Sequence, residues 1–167
     1  MNDSNWTDSR INDNEIENSI PTTIGNLEAL EHLDLSVNEL TGTIPPEIKN
    51  LKALTYLYLS SNQYASSTIP PVLYELYELR DLSLKRANLQ GTISPLVGFL
   101  SNLYLLDLDD NQLDGDIPTL LGKLTDLQFL LLNRNKFSGT VPTELQELAN
   151  LGKRQGCDSM SVHACRP

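Results

Sequence analysis

Residues 27–45 read LEALEHLDLSVNELTGTIP, and this stretch decides the architecture of the chain. The same spacing of leucine, asparagine, glycine and proline returns in steps of 24 or 25 residues. The five registers open at Leu27, Leu51, Leu76, Leu100 and Leu124. A fixed period of this length is typical of a solenoid, in which each unit buries its apolar face only against its neighbours.

Within one unit, the order of residue types predicts the path of the backbone. Leu33 and Leu35 alternate with polar residues, as in a short strand with one face inward. The amide of Asn38 can satisfy backbone groups at the following bend, so stacked asparagines should form a ladder. Gly42 and Pro45 then bend the chain and stop the strand pattern. We therefore predict an α/β-type repeat solenoid, a right-handed superhelix with parallel strands on its concave face and 3₁₀, extended or short helical segments on its convex face.

The repeat pattern also sets expected domain limits. Residues 1–10 are polar, and residues 11–26 match the second half of a degraded unit. Leu148 opens a further unit that loses the pattern after residue 151. The repeat domain is therefore predicted to span residues 11–151.

The tail, residues 152–167, is unpatterned and holds both cysteines, Cys157 and Cys165. A disulfide between them would close a small loop and act as an end cap in an oxidising compartment. Reduced thiols and bonds to cysteines of other chains are the alternatives.

Three departures from the pattern carry structural predictions. Ala87 stands where the ladder asparagine belongs, with Asn88 one place late, so the ladder should have a gap there. Residues 64–69 carry one extra residue and no glycine, which predicts a bulged turn. Ser94 replaces the proline of its unit.

The segment from residue 11 to about residue 151 resembles the leucine-rich repeats of plant receptor-like kinases and receptor-like proteins. The Gly-x-Ile-Pro element that marks this subclass occurs at residues 42–45 and 115–118 and, with valine for isoleucine, at 139–142. The resemblance implies an extracellular or cell-surface horseshoe that recognises a protein or peptide ligand without catalysis. Two alternatives are a secreted inhibitor of a cell-wall hydrolase, similar to the polygalacturonase inhibitors, and a fragment without independent function.

Composition narrows the classes of partner. The 167-residue chain has a net charge of −10 and no basic stripe, which argues against nucleic acid and against an anionic membrane surface. No apolar run approaches the ~18 residues of a membrane span. Residues 1–10 lack the apolar stretch of a signal peptide, so we expect an excised fragment or an incomplete gene model rather than a cytoplasmic member. Sequons at Asn2 and Asn5 favour secretion only weakly.

The sequence predicts no catalytic, cofactor or metal site. His32 and His163 are far apart, and neither belongs to a nucleophile–base pair or a metal-spaced set. Asp110 opens a stretch that mimics a calcium loop, but its twelfth position is Leu121, where a bidentate glutamate is needed.

Parallel strands lie about 4.8 Å apart, so residues at one repeat offset should stack into columns on the concave face. One predicted column holds Asp8, His32, Tyr56, Asp81, Leu105 and Phe129. The next holds Arg10, Asp34, Tyr58, Ser83, Asp107 and Leu131.

Five of these residues are predicted to anchor a ligand. Leu105, Phe129 and Leu131 are apolar at solvent-facing positions, which predicts an exposed patch near the C-terminal end. Tyr56 and Tyr58 form an amphipathic pair of the type enriched at interface hot spots. A cover supplied by the tail or by further repeats is the alternative explanation for both groups.

Charged side chains beside these columns are expected to select the ligand by its polarity. The residues proposed for this role are Lys85, Arg86, Asp107 and Asp109. Lys85 is expected to pair with Asp109, and Arg86 and Arg134 with Asp110. Such exposed ion pairs contribute about 0–1 kcal/mol each.

Overall fold

The computed structural model describes residues 6–146 and 148, and within them the chain climbs through short strands and 3₁₀ turns. The strands are β1 (Asp8–Arg10), β2 (Glu17–Ser19), β3 (His32–Asp34), β4 (Glu39–Thr41), β5 (Tyr56–Tyr58), β6 (Asp81–Ser83), β7 (Gln90–Gly91), β8 (Leu105–Asp107), β9 (Gln112–Gly115), β10 (Phe129–Leu131) and β11 (Lys136–Phe137). The 3₁₀ turns are Thr22–Asn26, Pro46–Asn50, Pro71–Glu75, Pro95–Phe99 and Thr119–Lys123, and a short helix α1 spans Thr143–Gln146.

Six strands form one parallel sheet in the order β1-β3-β5-β6-β8-β10. The 3₁₀ turns lie on the opposite face, where the Pro of each unit starts the turn or precedes it. Further pairs form a two-stranded sheet, β2-β4, and a three-stranded sheet, β7-β9-β11. The predicted leucine-rich solenoid is confirmed. The face formed by the six-stranded sheet is called the concave face below.

The core is a stack of the repeated leucines. Leu33, Leu57, Leu82 and Leu106 occupy the middle position of successive strands, and each is at most 1% exposed. Full burial of one such side chain is worth about 1.5–3 kcal/mol. Because each leucine packs against the units before and after it, the units stabilise one another rather than folding alone.

The asparagine ladder connects each unit to the one before it. Nδ2 of Asn111 donates to the carbonyl of Leu84 at 2.9 Å and to that of Leu108 at 3.0 Å. Its Oδ1 accepts from the backbone N–H groups of Leu89 at 3.0 Å and Ala87 at 3.1 Å. The Nδ2 bonds recur at Asn38, Asn62 and Asn135, while each of their Oδ1 atoms accepts from one backbone N–H. The Asn111 side chain therefore satisfies at least four backbone groups of two consecutive units.

The predicted gap in this ladder is confirmed. Ala87 is 1% exposed and occupies the ladder position without an amide to donate. Asn88 is exposed instead, and its Nδ2 donates to the carbonyl of Tyr64 at 2.9 Å.

The extra residue in the second full unit interrupts the outer sheet between β4 and β7. Only an isolated parallel bridge, from Ser67 to Leu89, forms where the neighbouring units have a strand. Tyr64 stands at a leucine position and is 4% exposed, and its hydroxyl has no hydrogen-bond partner among the described residues. Burial raises the pKa of this phenol above its usual range.

The solenoid begins earlier than the predicted limit at residue 11. Residues 8–10, assigned from sequence to a polar N-terminal segment, form β1 and pair in register with β3. Backbone pairing needs no apolar side chain, so the leucine pattern could not mark this strand. Cys157, Cys165 and the sequons at Asn2 and Asn5 lie outside the described residues.

On the convex side, three glycines allow neighbouring turns to approach closely. A Cβ on Gly98 would lie 2.8 Å from the carbonyl oxygen of Leu120. Gly25 and Gly122 hold the same position and meet Glu47 and Glu144 in the same way. In the described part of the chain, no helix is long and apolar enough to cross a membrane.

Candidate ligand-binding face

The register of the concave face agrees with the predicted columns. His32 pairs with Tyr56, Tyr56 with Asp81, and Leu105 with Phe129. Both columns therefore run across all six strands at one residue per unit. A ligand lying across the strands would meet a new side chain at each strand spacing of about 4.8 Å.

An aromatic cluster, His32, Tyr56 and Tyr58, occupies the N-terminal half of this face. The imidazole centroid lies 5.2 Å from the ring of Tyr56 and 5.7 Å from that of Tyr58, both tilted. Nη2 of Arg10 lies 3.3 Å from Nδ1 of His32. These separations are those of favourable aromatic packing. The sequence shows no group near His32, because the two tyrosines that contact it are 24 and 26 residues away along the chain.

A hydrogen bond joins Tyr58 of this cluster to the next unit. Its hydroxyl donates to Oδ2 of Asp81 at 2.7 Å. Partial burial and this bond to a carboxylate raise the pKa of the Tyr58 phenol above its usual range, so it acts as a donor at neutral pH.

A second polar chain crosses the middle of the face. The hydroxyls of Ser60 and Ser83 lie 2.7 Å apart, and Ser83 donates to Oδ2 of Asp107 at 3.2 Å. Desolvation raises the pKa of the Asp107 carboxyl, while the Asp109 amide, the Ser83 hydroxyl and the charge of Lys85 act in the opposite direction. The face is thus internally bonded from one unit to the next.

The apolar residues of the C-terminal half are less exposed than predicted. Leu105, Phe129 and Leu131 are half-buried rather than exposed. Phe129 packs edge-on against the ring of Tyr104 with centroids 5.3 Å apart. At a strand spacing of about 4.8 Å, side chains of adjacent strands cover one another, which the sequence column does not reveal.

The prediction for Asp109 was wrong. Asp109 is 7% exposed, and its Oδ1 accepts from the backbone N–H of Asn133 at 2.7 Å and from its amide at 3.1 Å. In the described part of the chain, no ion pair joins Lys85 to Asp109. Asp109 connects two units and is not available to select a ligand, because both bonds to Asn133 hold its carboxylate inward.

The predicted charge pairing around Asp110 is present. Nε of Arg86 lies 3.0 Å from Oδ2 of Asp110, and Arg134 pairs with the other carboxylate oxygen. Desolvation opposes ionisation of Asp110, but hydrogen bonds from Arg134 and Arg86 outweigh it and hold its pKa below the ordinary value. Both arginine side chains are more than half exposed, so salt screens these pairs strongly.

A groove that the sequence did not predict lies at the side of the six-stranded sheet where its strands begin. It encloses about 500 Å³ where β5, β6, β8 and β10 begin. Its lining, called the edge groove below, is Thr55, Glu78, Arg80, Asn102, Tyr104, Asp126 and Gln128. The sequence signal that could have identified this groove is the repeat offset. Four of these residues come directly before a strand and so recur once per unit.

A metal-binding site is not found among the described residues. Within residues 6–146 and 148, no group of three or more His, Cys, Asp or Glu side chains is placed to hold a metal ion.

The fold and this face define a leucine-rich repeat solenoid with a side-chain-rich concave sheet. Leucine-rich repeat family profiles match residues 10–63, 102–124 and 126–148. The chain belongs to the leucine-rich repeat family, and no catalytic family matches it. No curated protein sequence matches it significantly.

Several solved structures share the fold. The ectodomain of the Arabidopsis receptor kinase HAESA, in complex with the peptide hormone IDA and the co-receptor SERK1, is 37% identical with a TM-score of 0.85, covering 89% of this chain and 25% of that one. The plant peptide hormone receptor RGFR1, in complex with RGF2, is 34% identical with a TM-score of 0.82, over 89% and 24%. The Leptospira interrogans protein LIC12759 is 32% identical with a TM-score of 0.74, over 89% and 36%.

The chain therefore spans about a quarter of the length of these two plant receptor structures. It resembles the leucine-rich repeat ectodomains of plant receptor kinases that bind peptide hormones, which are non-catalytic recognition modules.

Proposed function

We propose that this chain is a non-catalytic recognition domain that binds a peptide or an extended protein segment across its concave face. The observation that carries the proposal is the pair of continuous columns across six strands, in which half-buried aromatic side chains on β3 and β5 and apolar or aromatic ones on β8 and β10 flank the polar pair on β6. A few residues supply most of the binding energy at protein interfaces, and tyrosine is enriched among them. The similarity to peptide hormone receptors supports the same class of ligand.

The distribution of side chains suggests the polarity of that ligand. The half with His32, Tyr56 and Tyr58 carries the carboxylates of Asp34 and Asp81, neither of which forms an ion pair in the described part of the chain. The other half carries Leu105, Phe129 and Leu131, with Asp107 as the one carboxylate in its two columns. A ligand with basic or hydrogen-bond-donating residues at one end and apolar residues at the other would complement both halves.

In a longer parent chain, this domain would form part of a receptor ectodomain at the cell surface. Asp107, Lys85 and Arg86 would then contribute to ligand selection at the middle of the face. Any kinase activity would lie in another part of that chain.

The test is a selection of displayed random peptides on the full chain, followed by calorimetric titration of the enriched peptides. We expect Tyr56→Ala/Phe129→Ala to weaken binding at least tenfold. The matched control, Tyr77→Ala/Phe99→Ala, removes one tyrosine and one phenylalanine that are 56% and 61% exposed away from the concave strands, and it should bind as the wild type does. Equal binding by both variants, or enrichment of no peptide, would overturn the proposal.

A further inference from the structure

The edge groove differs in chemistry from the concave face that it borders. Its lining combines two carboxylates, two amides, one guanidinium, one phenol and one hydroxyl. Small-molecule sites are usually lined mainly by apolar side chains with a few polar groups. A groove lined almost entirely by hydrogen-bonding groups suits a ligand that is itself densely polar.

The hydrogen-bonding capacity of this groove is largely unused by the protein. In the described part of the chain, the side chains of Arg80, Asp126 and Gln128 form no hydrogen bond or ion pair. Asn102 donates to the carbonyl of Tyr77 at 3.1 Å and to Glu78 at 3.4 Å, which leaves its carbonyl oxygen open. On the concave face, by contrast, Tyr58, Ser83 and Asp107 already bond to one another or to their neighbours.

The charges of the groove favour a neutral ligand. Glu78 and Asp126 share one row of the repeat and Arg80 belongs to the row two residues later, so the lining carries one more negative than positive charge. An anionic ligand would meet two carboxylates for one guanidinium. A neutral ligand rich in hydroxyls can both donate to the carboxylates and accept from the guanidinium and amides.

The groove also offers an apolar surface and a periodicity. Tyr104 is half-buried with its ring held edge-on to Phe129, so it presents an amphipathic surface within the polar lining. Thr55, Arg80, Tyr104 and Gln128 follow one another at one residue per unit, about one strand spacing apart. A linear chain of polar ring-shaped units would meet a new hydrogen-bonding side chain at each strand spacing.

From these observations, we infer that the edge groove binds a neutral oligosaccharide segment, with Tyr104 against a sugar ring and the amide, carboxylate and guanidinium groups on its hydroxyls. The segment belongs either to a free oligosaccharide or to the glycan of a glycoprotein. Binding is weak because the groove is shallow and every contact replaces one with water.

The test uses saturation-transfer NMR on the full chain with cellotetraose, mannotetraose, N-acetylchitotetraose and, as an anionic comparator, tetragalacturonate. Ribonuclease B, with and without its high-mannose glycan, represents a protein-linked source. Arg80→Ala/Gln128→Ala removes one cation and one amide of the groove. Lys136→Ala/Gln112→Ala removes the same two groups, linked at 3.4 Å, from the other flank of the solenoid.

We expect at least one neutral glycan to bind, and the signal to fall at least fivefold in the groove variant while the other-flank variant keeps it. Binding of the free tetrasaccharides alone, or also of glycosylated ribonuclease B, identifies the source. No binding at millimolar glycan, preference for tetragalacturonate, or equal loss in both variants would overturn the inference. If the groove variant instead loses a selected peptide and binds no glycan, the groove belongs to a peptide site, which also overturns it.

Discussion

The hydroxyl of Tyr58 and the carboxylate of Asp81 are joined by a 2.7 Å hydrogen bond that links two consecutive units across the concave face. Tyr58 also contacts His32 of the preceding unit, with ring centroids 5.7 Å apart. One side chain therefore connects three strands, and the concave face is held by side chains as well as by backbone pairing.

Removal of the Tyr58 hydroxyl should lower the free energy of unfolding. Tyr58→Phe keeps the ring contact with His32 and loses a partly buried bond to a charged acceptor, which is worth about 1–2 kcal/mol. Denaturant unfolding of the variant and the wild type measures the loss. Tyr56→Phe is the control, because no hydrogen bond of its hydroxyl is found in the described part of the chain, and it should change stability less. Equal losses in the two variants would show that the Tyr58–Asp81 bond contributes nothing specific.

Val37 adopts a backbone conformation that a β-branched residue disfavours. Its φ is +53°, at a turn position that has positive φ in each neighbouring unit, and its side chain is 50% exposed. We expect Val37→Asn to raise the free energy of unfolding by about 1 kcal/mol, because asparagine tolerates this region better than valine does. Val141→Asn is the control, since Val141 is 39% exposed without positive φ. A gain in both variants would point to surface polarity rather than backbone strain.

Even the substitution of Gly98 by alanine should destabilise the protein. A Cβ there would lie 2.8 Å from the carbonyl oxygen and 2.9 Å from the Cβ of Leu120, so two convex turns would have to separate. We expect Gly98→Ala to lower the free energy of unfolding by about 1–3 kcal/mol. Lys49 holds the same place in its unit and is exposed, so Lys49→Ala should be nearly neutral. Thermal melts of both variants decide the matter, and an unchanged Gly98→Ala protein would contradict the close packing of these turns.

The ladder should be more sensitive at Asn111 than at the displaced Asn88. Asn111→Ala leaves the backbone N–H groups of Ala87 and Leu89 and the carbonyl of Leu84 without their partner in a buried setting. We expect a loss of about 2–4 kcal/mol, since each buried unsatisfied group costs about 1–3 kcal/mol and the site relaxes in part. Asn88→Gly removes two hydrogen bonds of an exposed side chain at a position with a φ of +56°, which glycine adopts without strain, and should cost under about 1 kcal/mol. Comparable losses in urea unfolding would argue against the ladder.

Asp110 should contribute to the pH dependence of stability. Its folded pKa lies below the ordinary value of about 3.9 despite partial desolvation, because of Arg134 and Arg86. Its contribution is therefore fully present above the unfolded pKa and is lost as the pH falls through the folded pKa. Asp110→Asn should lower the free energy of unfolding at pH 6 by under about 1 kcal/mol. Near pH 2, the free energies of unfolding of the variant and the wild type should become equal.

Unfolding curves between pH 2 and pH 6, at low salt and in 1 M sodium chloride, test this assignment. High salt should shrink the difference between wild type and Asp110→Asn, because both arginine partners are exposed. Asp114→Asn removes an exposed carboxylate that has no ion pair in the described part of the chain, and it should show no such salt-sensitive difference. A pH-independent effect of Asp110→Asn would contradict a lowered pKa of this carboxyl in the folded state.

Most of the fold could be read from spacing, because leucines at a fixed period can be buried only by stacking. The columns of the concave face followed from the same period, and the gap at Ala87 followed from a single replaced residue. The predicted domain limit at residue 11 excluded β1, since β1 carries Ser9 where the other units have leucine, although the repeat offset already placed Asp8 and Arg10 in the two columns. Its pairing with β3 depends on the backbone, which a side-chain pattern does not report.

By itself, the sequence determined the family, the parallel register and which residues share a column, because each depends only on a repeated offset along the chain. Tertiary structure alone decided how much of each side chain is exposed and what it contacts. Asp109 accepts hydrogen bonds from Asn133, His32 contacts two tyrosines, and seven polar side chains from four units form the edge groove. These relations depend on side-chain direction and on strands packed about 4.8 Å apart, which no one-dimensional pattern encodes.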